Sequence, residues 1–74
     1  MSIAFYDRRV AAASFRRYRR TWSRTAAWTL TLLHCASEPN VRLAAALALV
    51  VYGIPPNGIP RKAQRERLEE KRAA

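Results

Sequence analysis

Seventy-four residues with fourteen Lys+Arg against five Asp+Glu carry a formal charge of +9, and the pI lies near 11.4. A chain this short makes one small domain at most, and burying only about 60–65% of its unfolded surface leaves the core marginal without a partner. Cys35 is the single cysteine and His34 the single histidine, which excludes a disulfide framework and the four-ligand zinc sites.

Twelve of the fourteen cations are arginine, and all but Arg42 crowd the two ends around an apolar middle. Such a charge density calls for a polyanion, either a nucleic-acid backbone or an anionic membrane. The first 24 residues hold seven arginines and one acid, Asp7, with no apolar run long enough for a secretory signal. They have the composition of an organellar presequence, a lesser reading beside a cytoplasmic protein.

The pattern predicts an all-α fold. Residues 7–35 read as one long helix, with Phe15, Tyr18, Trp22, Ala26 and Leu33 on one stripe. Arg9, Arg16, Arg17, Arg20 and Arg24 fall on the opposite face, with Arg19 at the border. After residue 26 the period decays: Trp28, Leu30 and Leu32 alternate with Thr29 and Thr31, so residues 28–33 admit a short strand as the alternative to helix. Ser37, Glu38, Pro39 and Asn40 make a break, with Ser37 and Asn40 both able to cap a new helix.

A second helix is expected over residues 41–52, apolar all round, stopping at Gly53. It should fold back on the first as a hairpin, Phe15, Tyr18, Trp22 and Trp28 packing with Leu33, Leu43, Leu47 and Val50. One neighbour cannot cover such a helix, so Leu43, Leu47, Val50 and Val51 are predicted to form an interface with a second copy or a protein partner. Residues 55–60, rich in proline and containing Asn57-Gly58, read as a linker with a turn. Pro60 then suits the first position of a charged helical tail over residues 61–73. The organisation is a hairpin over residues 1–54, a linker over 55–60 and a tail over 61–74.

Catalysis finds little to stand on, and neither metal nor cofactor is expected. The acids are scattered, and the two glycines cannot build a phosphate loop. His34 and Cys35 are neighbours that point about 100° apart on a helix, so they do not form a base–nucleophile pair. The informative run is residues 15–24, five arginines interleaved with Phe15, Tyr18 and Trp22. Guanidinium forks pair with phosphate oxygens in two-pronged geometry, so Arg9, Arg16, Arg17, Arg19, Arg20 and Arg24 are the candidate nucleic-acid contacts. Arg61, Lys62 and Arg65 are the secondary ones. Base stacking by Tyr18 or Trp22 is the lesser use, because both lie on the stripe opposite the arginines.

The expected function is a small nucleic-acid-binding accessory or regulatory protein, DNA or RNA, of the kind phages and plasmids encode. The runner-up is a small membrane-associated amphipathic protein, either lysis- or toxin-like or lying in the interface of an anionic membrane. Residues 26–36 and 41–54 are each too short for the roughly 20 residues of a bilayer crossing. A helical adaptor that touches no polyanion comes third.

Overall fold

The computed structural model describes residues 4–73, and helix α1 (Arg8–Arg19) starts in it on a side-chain cap. Asp7 is extended, and its Oδ1 accepts from the Arg9 amide at 2.8 Å, satisfying one of the donors a helix start leaves over. The helix ends in a tight turn. Thr21 and Trp22 both donate to the Tyr18 carbonyl, and Arg19 Nη1 reaches the Trp22 carbonyl at 3.1 Å.

Ser23 then opens α2 (Arg24–Cys35), its hydroxyl accepting from the Ala26 amide at 3.3 Å. The single helix predicted over residues 7–35 is therefore two helices. Ser23 offers its own cap to the new helix, and the Trp22 indole is drawn off to the Gly58 carbonyl at 2.8 Å. Replacing the cap, Ser23→Ala, is expected to cost about 1 kcal/mol, read as a lower urea midpoint at unchanged slope.

The alternation at residues 28–33 resolves as helix. Thr29 and Thr31 turn their hydroxyls back onto the Thr25 and Ala27 carbonyls at 2.8 Å, so both are buried with their polar atoms satisfied. Beyond Cys35 the chain extends, and residues 4–6 lie alongside it. Phe5 pairs antiparallel with Ala36, through Tyr6 N–H to the Cys35 carbonyl and Ser37 N–H to the Ala4 carbonyl, both 3.1 Å.

Helix α3 (Pro39–Tyr52) begins two residues earlier than predicted. Pro39 takes the first helical position, where no amide hydrogen is needed. Neither expected cap serves: Ser37 bonds to Ala4, Asn40 is already helical, and Glu38 precedes the helix without a side-chain cap. At the other end Gly53 is left-handed as expected, at φ 73. Its amide reaches the Val50 carbonyl and the Ile54 amide reaches Leu49, with Ile54 packed on the cluster that contains Leu49. That is the Schellman closure.

Helices α1 and α3 both pack on α2 and not on each other. The core is small: Tyr18, Ala27, Leu30 and Leu49, with Phe15, Trp22, Leu33 and Ile54 against it. The predicted α3 contribution is rotated. Leu43, Leu47 and Val50 are exposed, and Ala45 and Leu49 are the buried residues instead. From residue 43 to residue 51 α3 carries only alanine, leucine and valine, so that stretch has no polar side to fix its rotation, and small Ala45 is the side chain buried. Trp28, also predicted for the core, is 40% exposed.

Residues 55–58 form a β-turn closed by Gly58 N–H to the Pro55 carbonyl at 2.9 Å, with Pro56 and Asn57 in the middle. Proline second and glycine fourth is the composition a type I turn favours. The segment predicted as a linker packs back on the body: Gly58 is buried, Trp22 bonds to it, and His34 Nε2 meets the Pro56 carbonyl at 2.6 Å.

Helix α4 (Arg61–Ala73) comes last, its first turn accepted by the Pro60 carbonyl. Pro60 thus precedes the helix instead of opening it. Among the described residues α4 packs on no other helix, and Leu68, its one large apolar side chain, is exposed. The radius of gyration is 13.7 Å, against about 11 Å for a compact chain of this length, so the molecule is elongated. No described helix is long and apolar enough to cross a membrane. The outermost parts of the predicted N-terminal and tail segments, residues 1–3 and 74, lie outside the described range.

Candidate nucleic-acid interface

Because Ala11, Ser14 and Tyr18 are the buried residues of α1, the rest of the helix surface is fixed by its pitch. At about 100° per residue, Arg9, Arg16 and Arg20 fall within about 40° of one another on the side away from the core. Arg8 and Arg19 lie on one flank and Arg17 on the other. All six are exposed. The one acid at this end, Asp7, accepts from the Arg9 amide as the helix cap, and its single charge is outnumbered by these six exposed arginines.

The strip is not continuous to residue 24 as predicted. The turn at residues 20–23 ends it, and Arg24 stands exposed at the start of α2. Arg19 has a second duty, holding the turn through the Trp22 carbonyl. The Arg17 guanidinium lies 5.2 Å from the Tyr18 ring centroid. Arg61, Lys62 and Arg65 are exposed at the start of α4, with Glu66, Glu69 and Glu70 on the same helix.

Neither aromatic named for base stacking is free to do it. Tyr18 is buried, stacked on His34 at 6.2 Å and covered by the Gly58 turn. Trp22 is half-buried with its N–H committed. The exposed indole is Trp28, which the Phe5 and Phe15 rings meet edge-on at 5.7 and 5.9 Å. Beside it lies a groove of about 450 Å³ bordered by Arg8 and Arg16. The sequence pattern predicts Trp28 in the core. The available signal was its position out of phase with the stripe through Ala26 and Leu33.

His34 and Cys35 diverge. His34 is exposed beside Tyr18, while Cys35 is buried with its Sγ 3.6 Å from Ser14 Oγ. On α3 the residues expected at an interface, Leu43, Leu47, Val50 and Val51, are all exposed, up to 82% for Val51. Comparison with family models, curated proteins and solved structures yields no match to this chain.

Proposed function

We propose that this protein binds a nucleic-acid backbone through α1, with Arg9, Arg16, Arg17 and Arg20 as the principal phosphate contacts. Arg19 and Arg24 sit at the edge, and Arg61, Lys62 and Arg65 are a secondary element. The observation that carries the reading is the exposed arginine block on a helix whose other side is anchored in the core. A rigid helix presents its guanidiniums without the ordering cost a disordered arm would pay. Occupying a nucleic acid in this way would block or organise another factor, the work of an accessory or regulatory protein.

The test is binding of the purified chain to duplex DNA, to RNA and to liposomes across a salt series. Salt-reversible binding to nucleic acid with no retention on neutral vesicles supports the proposal. Retention on neutral lipid at high salt replaces it with the membrane reading, which the bare apolar face of α3 favours.

That same face supports self-association. Exposed apolar stripes of this kind mark contact surfaces, and a two-fold pairing of α3 helices would bury Leu43, Leu47, Val50 and Val51 together. Light scattering is expected to give twice the 8.4 kDa chain mass, and Leu47→Glu to return it to one chain with helicity retained. A single-chain mass for the unaltered protein would remove this part of the proposal.

A further inference from the structure

We infer that the groove beside Trp28 receives one unpaired nucleobase, so that the protein engages single-stranded or flipped-out nucleotides; this rests on the nucleic-acid reading above. The groove has an aromatic wall. Phe5 and Phe15 each contact the Trp28 indole at an interplanar angle of 73°, fixing its orientation while 40% of the residue stays exposed. Ala11 and Ala12 line the α1 side, and their short side chains leave the depression open.

The rim decides the occupant. Arg8 and Arg16 border the first depression. A second, of about 510 Å³, shares Phe15 and Trp28 with it and is bordered by Arg24 and Thr25. Neither lining contains an acid. An apolar aromatic lining with arginines on its rim matches a ligand that has a flat π-surface flanked by anions. A nucleotide within a strand is that object, its base flanked by a phosphate on either side. An anionic lipid offers charge at one end only, and a base inside a duplex is already stacked and paired. Stacking on an aromatic side chain tolerates any base, so the groove selects for unpairedness over sequence.

The experiment compares a labelled oligo-uridine with an abasic oligonucleotide of equal length, which keeps the phosphates and lacks the bases. The full chain should bind oligo-uridine about 5- to 150-fold more tightly than the abasic strand, the range that stacking of one base supplies. Trp28→Ala should bring the ratio to about one, and Trp28→Phe should retain most of it. Indole emission of the unaltered protein should be quenched by oligo-uridine and not by the abasic strand, a readout that needs no variant to fold. Equal, tight binding of both strands without differential quenching overturns the groove assignment and leaves phosphate binding by α1 standing. Failure to bind either strand at low salt overturns both.

Discussion

Gly58→Ala is expected to lower stability by about 2–5 kcal/mol, whereas Gly53→Ala costs about 1–2 kcal/mol. Both glycines are left-handed at φ 73, so the backbone penalty for adding a Cβ is shared. They differ in surroundings. A Cβ at Gly53 meets nothing within 4 Å, whereas one at Gly58 lies 2.5 Å from Tyr18 Cε1 and 3.4 Å from Leu30 Cδ1. Tyr18 cannot easily yield, being buried in the core cluster and stacked on His34. Folded chains hold roughly 0.05–0.15 kcal/mol per residue in reserve, so the larger cost consumes much of the whole. Urea unfolding of the two variants beside the parent provides the comparison. Equal losses would mean that the Pro55–Gly58 turn does not press on Tyr18.

The second large effect concerns binding. Replacing Arg9, Arg16, Arg17 and Arg20 together by alanine is expected to weaken nucleic-acid binding about 10³-fold at 0.1 M salt. Each phosphate contact contributes about 0.7–0.9 to the slope of log K against log salt, so four removed contacts flatten it by about three. The loss should be nearly uniform across sequences, since phosphate contacts carry no base information. Alanine is also the better helix former, which offsets the loss of the last-turn cations Arg16 and Arg17 from the helix C-terminus, and retained helicity by circular dichroism checks that α1 survives the change. The triple replacement of Arg61, Lys62 and Arg65 should cost less, because Glu66, Glu69 and Glu70 reduce the local potential of α4. An unchanged slope in the fourfold variant would show that α1 is not the contacting surface.

Helical class, a break around Pro39, the Gly53 stop and the extent of α4 were all legible, because each rests on local chemistry: a missing amide, a left-handed residue, a change in composition. The exact start of α3 was not, since it opens on Pro39 and not at the expected residue 41. The stripe through Phe15, Tyr18, Trp22, Ala26 and Leu33 was legible too, and each of these residues is buried or half-buried. The division of the first helix was less visible. The periodic pattern continued across Ser23, and the deciding contact, Trp22 to Gly58, spans 36 positions. The rotation of α3 was hidden for a different reason, since an unbroken apolar run over residues 43–51 leaves periodicity nothing to measure. The arginines could be named individually because charge is read from sequence directly. The groove at Trp28 could not, because it needs Phe5 from the N-terminal segment, Phe15 from α1 and Trp28 from α2 to converge.

The lone thiol offers a clock. Cys35 sits under α1 against Ser14, shut away from reagents while the helices stay together. Its alkylation rate therefore reports openings of the seam where α1 and residues 4–6 cover the end of α2. Slower labelling in the presence of a ligand would register clamping of the two elements that bear the arginines, with no dye or tag added to the chain.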